Sequence, residues 1–250
     1  MRAVVIGASS GLGRCIGIGL AQRGAQVALL ARRRQRLDDA AKEAGPGTLA
    51  IECDVTDPAS CREAIAEAAT GLGGIDGLIY TPAITPLARI QETDAATWQR
   101  TFETNVVGAS LATAVALPHL REARGSAIYL TSNSASMTPP WPGLGAYTVS
   151  KAALDKMVEV WRAEHPDIAF TRMIVGECAG GEGDAMTGMI DDWDGELAAE
   201  MHPIWMERKY MSGFLLDVEQ LITTVDMVLN SHVTAYLPTV AVVPRATPPS

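Results

Sequence analysis

The sequence predicts an α/β fold, a single domain of residues 1–250 in which a doubly wound parallel sheet lies between two layers of helices. Short apolar runs alternate with longer helical stretches, which is the pattern of successive β-α-β units. A glycine-rich turn follows the first run, and polar or small residues follow the later ones. With 250 residues, of which 48% are hydrophobic, the chain can bury a full core.

The first β-α unit carries the glycine-rich turn. Residues 3–6 have the composition of a buried parallel strand, and the turn Gly7-Ala8-Ser9-Ser10-Gly11-Leu12-Gly13 leads from it into a helical run over residues 14–23. Glycines at this place let the backbone approach a pyrophosphate, whose charge is stabilised by backbone amides and the helix dipole. A tight connection without a ligand is the alternative. The position directly after the first strand favours a dinucleotide-binding, Rossmann-type fold.

The end of the second strand indicates which dinucleotide is bound. Residues 27–30 complete the β-α-β unit, and enzymes that select NAD place an acidic side chain at its end to bind the ribose 2′-hydroxyl. Here Ala31 is followed by Arg32 and Arg33, which leave room and positive charge for a 2′-phosphate. The sequence therefore predicts NADP(H) in preference to NAD(H), with Arg32 as the main phosphate ligand.

Two further strands are predicted at residues 48–53 and 75–80, and each ends in candidate ligand-binding residues. Asp54-Val55-Thr56-Asp57 follows the first, and Thr81-Pro82-Ala83 follows the second. Because parallel strands present their carboxyl ends at one edge of a sheet, both segments are expected beside the glycine turn. Thr56 or Asp57 can also cap the helix predicted over residues 59–70.

Tyr147 and Lys151 form the most chemically suggestive pair. Their four-residue spacing in a helical stretch places a phenol and an ammonium on the same helix face. A fixed cation nearby lowers the pKa of a tyrosine from its ordinary value of roughly 10, which suits the phenol for general acid–base catalysis. The same spacing also occurs in ordinary surface pairs, so the assignment depends on the rest of the chain.

With the glycine turn, Asp54, Asn105, Ser134 and the Tyr147/Lys151 pair in this order, the chain resembles the short-chain dehydrogenase/reductase family, in its branch of about this length. The resemblance spans nearly the whole chain and implies a catalytic tetrad of Asn105, Ser134, Tyr147 and Lys151. Ser134 lies thirteen positions before Tyr147, which is the family's usual interval. Ser132 is its rival, because the segment 129–134 aligns ambiguously.

The family's chemistry implies an NADP(H)-dependent carbonyl reductase or alcohol dehydrogenase. Tyr147 would give a proton to a carbonyl oxygen as hydride reaches the carbon, and Ser134 would hydrogen-bond the same oxygen. Lys151 would hold the nicotinamide ribose and lower the pKa of the tyrosine, while Asn105 would anchor a water that replenishes the proton. The residues expected to bind the cofactor are Gly7, Ser9, Ser10, Gly11, Leu12, Gly13, Arg32, Arg33, Asp54, Val55, Thr81, Pro82, Ala83, Tyr147, Lys151 and Gly176.

Three segments depart from the family pattern. The family's Asn-Asn-Ala-Gly after the fourth strand is replaced by Tyr80-Thr81-Pro82-Ala83, which implies altered packing beside the cofactor ribose. Val175-Gly176 stands where the family has Pro-Gly, and the C-terminal Asp-Gly-Gly is absent. Such drift keeps open an alternative function, a cofactor-binding protein with weakened catalysis that senses redox state or acts as a scaffold.

Residues 177–216 are predicted to form a lid over the substrate. The segment contains glycines that permit hinge movement and methionines and tryptophans that can form an adaptable apolar wall. A pair of amphipathic helices packed on the core is the alternative. Asp191 and Asp192 are expected on a solvated face rather than in a metal site. The lid indicates a fairly large, apolar carbonyl substrate.

Composition narrows the partners and the location. The net charge of −9 disfavours nucleic-acid binding, which needs clustered lysine and arginine. The apolar residues before Gly7 are too few for a signal peptide, and no run of about 18 apolar residues suits a membrane span, so a cytoplasmic protein is predicted. The four cysteines have no metal-ligand or C-x-x-C spacing, so neither disulfide nor metal is expected. The family resemblance implies a homodimer or homotetramer.

Overall fold

The structure is a computed structural model that describes residues 1–181, 183, 186–231 and 235–245. The described residues contain one parallel sheet of seven strands in the order β3-β2-β1-β4-β5-β6-β7. The strands are β1 (Arg2–Ile6), β2 (Gln26–Ala31), β3 (Leu49–Glu52), β4 (Gly77–Tyr80), β5 (Ser126–Ser132), β6 (Ala169–Val175) and β7 (Thr239–Val242). The predicted Rossmann-type fold is confirmed.

Helices cover both faces of the sheet. They are α1 (Gly11–Gln22), α2 (Arg34–Ala44), α3 (Pro58–Leu72), α4 (Ala95–Phe102), α5 (Gly108–Ala123), α6 (Asn133–Ser136), α7 (Gly145–Glu164), α8 (Gly195–Glu207) and α9 (Val218–Asn230). A π-helical turn, Glu103–Val107, joins α4 to α5. Asp57 rather than Thr56 caps α3, since its carboxylate accepts from the backbone N–H of Ala59 at 2.8 Å.

The central strand β1 shows why the sheet strands are apolar at nearly every position. Val4 and Ile6 point into a core shared with α3, α5 and α7, whereas Ala3 and Val5 point into a second core shared with α1, α2 and α9. All four are fully buried. Successive side chains of a strand face opposite sides of the sheet. In a strand that is covered on both faces, every side chain is therefore buried and apolar. Burying one side chain such as Ile6 stabilises the fold by about 1.5–3 kcal/mol.

Element ends differ from the predicted ones by one to three residues. The first helix begins at Gly11 rather than at residue 14, and β4 begins at Gly77 rather than at residue 75. The residue before β4, Asp76, accepts through Oδ2 from the backbone N–H of Arg2 at 2.7 Å.

The strand order places the site. β1 lies between β2 and β4, so the chain progresses outward from β1 in both directions, and a crevice opens at the carboxyl ends of β1 and β4. Thr81, directly after β4, donates from its backbone N–H and its hydroxyl to the carbonyl of Ile6, at 3.2 and 2.7 Å. The glycine turn after β1 and the loop after β4 therefore form the two walls of this crevice.

Candidate active site

The glycine turn brings the start of α1 close to the sheet edge. Gly7 has a φ of +86°, a left-handed conformation that favours glycine. A Cβ at Gly13 would lie 2.3 Å from Thr81 Oγ1 and 2.5 Å from the carbonyl oxygen of Gly7, so only glycine fits there. No side chain caps the N-terminus of α1 at Ser10. Its first backbone N–H groups can therefore bind an anion, which fits a pyrophosphate.

A cleft of about 390 Å³ opens over this turn, a volume suited to a small-molecule ligand. Most residues predicted to bind the cofactor line it: Gly7, Ser9, Ser10, Gly11, Leu12, Gly13, Arg32, Arg33, Asp54, Val55, Thr81, Pro82 and Ala83. Tyr147, Lys151 and Gly176 are not among its lining residues. At Gly176 an added Cβ would lie 2.7 Å from Pro244 Cδ, so this glycine faces the chain after β7.

Arg33 is the arginine that reaches the glycine turn. Its Nη2 donates to Ser10 Oγ at 2.6 Å and to Ser9 Oγ at 3.0 Å, and its Nε donates to Ser9 Oγ at 3.1 Å. The charge of Arg32 instead acts on Asp54. Burial tends to raise the pKa of Asp54, but hydrogen bonds from Thr56 and the charge of Arg32 lower it. The sequence named Arg32 first, but the geometry favours Arg33 as the residue beside the turn.

The segment 187–192 forms part of the cleft wall, which the sequence did not predict. Thr187, Gly188, Met189, Asp191 and Asp192 all line the cleft. A Cβ at Gly11 would lie 3.2 Å from the Cα of Thr187, so the segment passes directly over the turn. Both aspartates are exposed, as expected of a solvated face, but they also lie at the cofactor cleft.

Asp191 faces the arginine cluster across the cleft. Burial and the neighbouring Arg36 and Arg32 lower the pKa of Arg33, and the charge of Asp191 opposes this shift. The two aspartates are visible in the sequence, but residue spacing does not show that they lie beside the arginines of the cleft.

Asn105 fastens the loop that departs from the family pattern. From the π-helical turn, its Oδ1 accepts from the N–H of Ile84 at 2.9 Å, and its Nδ2 donates to the carbonyl of Ile84 at 3.0 Å and to Ser150 Oγ at 2.9 Å. The hydroxyl of Tyr80 donates to the carbonyl of Thr104 at 2.5 Å. The loop after β4 is thus tied to the π-helical turn at both ends. These contacts use both N–H donors of Asn105 and one of the two acceptor positions of its Oδ1.

Tyr147 and Lys151 lie on the buried face of α7. Only 8% of Tyr147 and 2% of Lys151 is exposed. Lys151 Nζ donates to the carbonyl of Leu130 at 2.7 Å and lies 5.9 Å from the centroid of the Tyr147 ring. The predicted shared helix face is therefore present, and both side chains lie against the end of β5.

The hydroxyl of Ser132, rather than that of Ser134, is the one whose hydrogen bonding lowers the pKa of Tyr147. Ser132 is the last residue of β5 and caps α6, and its Oγ lies 2.9 Å from Ser134 Oγ. The chain turns into α6 directly after Ser132, and Ser134 Oγ accepts from Thr148 Oγ1 at 3.4 Å. The interval of thirteen residues favours Ser134 and the hydrogen bond acting on Tyr147 favours Ser132, so the identity of the tetrad serine stays a prediction.

Burial sets the protonation of the pair. It raises the pKa of Tyr147, and hydrogen bonding from Ser132 opposes the shift. Burial also lowers the pKa of Lys151 to about 8, against the charge of Asp155, which raises it. The sequence predicted a tyrosine pKa lowered by lysine. Here the pKa of Tyr147 is raised instead, because burial is the largest influence and outweighs the opposing hydrogen bond of Ser132.

The two ends of the segment 177–216 are held together by hydrogen bonds to Glu177. The backbone carbonyl of Glu177 accepts from Leu216 N at 2.7 Å, and its Oε1 accepts from Ser212 N at 2.6 Å. Within the segment the structure describes one helix, α8, where the alternative interpretation expected a pair. Of the predicted hinge region, Glu182 and Asp184 lie outside the described residues.

Tryptophans fasten this segment to neighbouring loops. Trp205 is 3% exposed and packs against Trp141 with the ring centroids 5.5 Å apart and the rings tilted by 42°. Its Nε1 donates to the carbonyl of Pro142 at 2.9 Å. Trp193 donates from Nε1 to the carbonyl of Thr85 at 2.6 Å. Trp141, which is 8% exposed, is buried in the same aromatic cluster. The segment is therefore docked by a small core of its own.

We expect Trp205→Ala to release the segment while leaving the sheet domain folded. Truncating a buried tryptophan costs about 3–5 kcal/mol. We expect the remaining contacts of this small cluster to be too few to keep the segment docked after such a loss. Limited proteolysis with mass spectrometry checks this: cleavage should appear between residues 186 and 216. Trp98→Ala, a half-buried tryptophan of α4, is the matched control. Equal protease resistance of both variants would contradict the docking account.

The comparison with protein families decides the assignment. A family model described as short chain dehydrogenase matches residues 1–180, which is well over half of the chain. The chain belongs to the short-chain dehydrogenase family. The family resemblance read from the glycine turn, Asn105 and the Tyr147/Lys151 pair is thereby confirmed.

Curated relatives match about two thirds of this short-chain dehydrogenase. The 11-beta-hydroxysteroid dehydrogenase A of Sesamum indicum is 32% identical over 179 residues, covering 69% of this chain and 51% of the relative. The 11-beta-hydroxysteroid dehydrogenase 1A of Arabidopsis thaliana is 32% identical over 166 residues, covering 64% and 47%. The chain thus spans about half the length of these relatives.

Solved structures share the fold over nearly the whole dehydrogenase chain. A short-chain type dehydrogenase/reductase from Mycobacterium marinum superposes with a TM-score of 0.82 at 25% identity, covering 97% of this chain and 92% of that one. An alcohol dehydrogenase from Thermococcus sibiricus complexed with 5-hydroxy-NADP gives 0.80 at 21% identity, covering 99% and 98%. At that identity the second match shows the fold alone.

The described residues offer neither a membrane-spanning helix nor a cluster of metal ligands. None of their helices is long and apolar enough to cross a bilayer. Within the same ranges, no group of three histidine, cysteine or acidic side chains is arranged to hold a metal ion.

Proposed function

We propose that this dehydrogenase transfers hydride between NADP(H) and a carbonyl or alcohol carbon, with Tyr147 as the proton donor or acceptor. The observation that carries the proposal is a buried phenol beside the hydroxyl of Ser132, with Lys151 one helical turn away. All of these groups lie at the carboxyl edge of the sheet, as does the glycine-lined cleft.

The residues of the cleft fit a dinucleotide. The free amides at the start of α1 can bind the pyrophosphate, and the lack of a side chain at Gly7 and Gly13 lets the turn pass close to Thr81. Asp54, two residues after β3, can meet the adenine. When bound, the cofactor supplies or accepts the hydride, and the protein supplies orientation and electrostatics.

In the proposed reduction, Ser132 and Tyr147 act on the carbonyl oxygen. Ser132 donates a hydrogen bond to that oxygen and Tyr147 delivers its proton, so the carbonyl gains a hydride at carbon and a proton at oxygen to become an alcohol. The raised pKa of Tyr147 keeps the phenol protonated before the reaction. Lys151, as an ammonium ion, stabilises the phenolate that remains. Asn105 acts as a brace for the loop beside this site.

A preference for NADP(H) follows from the basic corner of the cleft. Arg33, Ser9 and Ser10 form a cluster of donors that can wrap a 2′-phosphate, and an arginine fork suits that group. Arg32 adds a second positive charge, and Ala31 provides no acidic group that would repel the phosphate.

The substrate we propose is a bulky, apolar carbonyl compound or the matching alcohol. Two features support this class: the aromatic and methionine-rich segment 177–216, proposed as the substrate lid, and the relatives named as 11-beta-hydroxysteroid dehydrogenases. The cytoplasmic location and the homodimeric or homotetrameric state stay predictions of the sequence.

Consumption of NADPH by the purified chain tests the proposal. The panel contains steroid ketones, smaller ketones, quinones and aldehydes, with NADH assayed in parallel. We expect turnover with at least one apolar ketone and a higher kcat/KM with NADPH than with NADH. Tight NADPH binding without any turnover would contradict the enzyme assignment and support the sensor or scaffold alternative.

Separate alanine substitutions distinguish the two serines. Ser132→Ala removes the hydroxyl beside Tyr147 and is expected to lower kcat/KM by about 10²–10³-fold, the usual cost of losing an oxyanion donor. Ser134→Ala removes a hydroxyl behind it and is expected to cost about tenfold or less, as for a single uncharged hydrogen bond. Steady-state kinetics on both variants checks this. A larger loss in Ser134→Ala would restore the sequence assignment.

A further inference from the structure

We propose that Asp191 and its neighbour Asp192 help to determine cofactor specificity, because their carboxylates oppose the 2′-phosphate of NADP(H) at the basic corner of the cleft. The inference deepens the proposed function and rests on it, since it concerns the phosphate site proposed there. The preference for NADP(H) is then the difference between the attraction of the arginines and the repulsion of these two aspartates, the acidic pair.

The backbone after β6 carries the acidic pair to the glycine turn. The N–H of Thr187 donates to the carbonyl of Ala179 at 2.8 Å, and a Cβ at Gly11 would lie 3.2 Å from the Cα of Thr187. The residue before Gly11 is Ser10, whose Oγ accepts from Arg33 Nη2 at 2.6 Å. The segment therefore crosses the turn next to the place where Arg33 is held.

The carboxylate of Asp191 lies in the cleft wall. A Cβ at Gly188 would lie 2.8 Å from Asp191 Oδ2, and the N–H of Asp191 donates to the carbonyl of Gly188 at 3.4 Å. Gly188 and the acidic pair line the same cleft as Arg32 and Arg33. The bend between Gly188 and Asp191 thus places negative charge in the cleft that also contains the two arginines.

Arg33 has no carboxylate partner within the described ranges. Its guanidinium donates to the hydroxyls of Ser9 and Ser10, and it forms no ion pair there. The next residue, Arg34, is in contrast paired with Asp38 on α2. The charge of Arg33 is therefore available to an anion that enters the cleft.

The acidic pair carries two charges that no cation of the described part of the chain neutralises in an ion pair. Both side chains are exposed. The pKa of Arg33 agrees with the placement of Asp191: burial, the largest influence, lowers it, whereas the charge of Asp191 raises it. A carboxylate in this position competes with an incoming phosphate for the same cation, and it repels the phosphate directly.

The two cofactors differ in the group that the acidic pair repels. The pyrophosphate is common to NADPH and NADH, so its repulsion by Asp191 and Asp192 cancels in the ratio of the two affinities. A phosphate monoester such as the 2′-phosphate adds a charge of roughly −1.5 to −2 near neutral pH. Removing the two carboxylates should therefore strengthen the binding of NADPH more than that of NADH.

Calorimetric titration of the intact chain with NADPH and NADH tests the inference. In Asp191→Asn/Asp192→Asn we expect the Kd for NADH divided by the Kd for NADPH to rise about three- to tenfold, the effect of one or two exposed charge pairs. Adenosine 2′,5′-bisphosphate and adenosine 5′-monophosphate, which carry and lack the 2′-phosphate, should show the same change. High salt should diminish it, because exposed charges are screened.

Three further variants separate the charge of the acidic pair from its shape. Glu122→Gln/Glu164→Gln removes two charges from exposed positions on α5 and α7 that do not line the cleft, and it should leave the ratio unchanged. Asp191→Glu keeps the charge and should stay close to the wild-type ratio. Asp191→Lys reverses the charge and should raise the ratio above that of Asp191→Asn.

An unchanged ratio in Asp191→Asn/Asp192→Asn overturns the inference. A lower ratio also overturns it, because the carboxylates would then hold Arg33 in place for the phosphate. Arg33→Ala distinguishes the failure of this inference from that of the proposed function. If Arg33→Ala weakens NADPH selectively while the ratio of the double variant is unchanged, the inference alone is rejected.

Equal weakening of both cofactors by Arg33→Ala would instead reject the proposed phosphate ligand. A raised ratio in Asp191→Asn/Asp192→Asn would then still support the role of the acidic pair. Binding of neither cofactor by the wild-type chain would reject the proposed function and the inference together.

Discussion

Tyr147→Phe is expected to lower kcat for carbonyl reduction by about 10²–10⁴-fold, the range that a positioned general acid contributes. Phenylalanine keeps the ring, so the buried packing of α7 against the sheet is preserved, and only the hydroxyl beside Ser132 is lost. NADPH binding should stay within about twofold, because the hydroxyl supplies no charge to the cofactor. Steady-state kinetics and a fluorescence titration with NADPH measure the two quantities.

Tyr236→Phe is the matched control for this experiment. The hydroxyl of Tyr236 donates to the carbonyl of Phe170 at 3.0 Å, at the far side of the sheet, so its loss removes a hydrogen bond without touching the proposed site. Its kcat should match that of the wild type. Wild-type turnover by Tyr147→Phe would refute the proton-transfer assignment.

Arg33→Ala is expected to weaken NADPH binding by about 10–100-fold, since hydrogen bonds to a charged group contribute about 1.5–3 kcal/mol. NADH lacks the 2′-phosphate, and its affinity should change by less than about threefold. The difference arises because the guanidinium of Arg33 already lies against Ser9 and Ser10, where the phosphate would bind. Calorimetric titration with both cofactors measures it.

Arg32 and Arg34 provide the comparison for this second experiment. Arg32→Ala should have a smaller effect on NADPH, because the carboxylate of Asp54 lies close enough to Arg32 to offset part of its charge. Arg34→Ala should have almost none, because Arg34 is exposed and pairs with Asp38 on the surface of α2. Equal losses for NADPH and NADH in Arg33→Ala would reject the phosphate assignment.

The parts of the fold that the sequence predicted are those with local causes. A buried parallel strand must be apolar on both faces, and a close turn must contain glycine, so the first β-α-β unit can be read directly from residues 3–31. Helical periodicity likewise places Tyr147 and Lys151 on one face, because a four-residue step is close to one turn of a helix.

The parts that the sequence did not predict depend on where elements end in three dimensions. Ser132 and Ser134 differ only in that β5 ends at the first of them, and adjacent residues such as Arg32 and Arg33 leave a strand end in different directions. That Asp191 reaches the cleft depends on the three-dimensional path of the long segment that follows β6. Such contacts between residues far apart in the sequence are determined by packing, and no regular sequence spacing predicts them.

The pKa of Tyr147 illustrates the same limit for electrostatics. Spacing shows that a cation is near the phenol, but the sign of the shift depends on burial and on what the cation bonds. Here burial raises the pKa of Tyr147, and the ammonium of Lys151 is directed to the carbonyl of Leu130. Neither effect is encoded in the four-residue interval.

The fate of the transferred hydrogen tests the central claim most directly. NADPH carrying deuterium at the transferable position of the nicotinamide is incubated with the ketone that gives the fastest turnover, and the product is examined by mass spectrometry. Direct hydride transfer predicts one deuterium at the carbinol carbon with the wild type and almost no labelled product with Tyr147→Phe. Unlabelled alcohol formed at the wild-type rate, or equal labelling by the two proteins, would contradict the account.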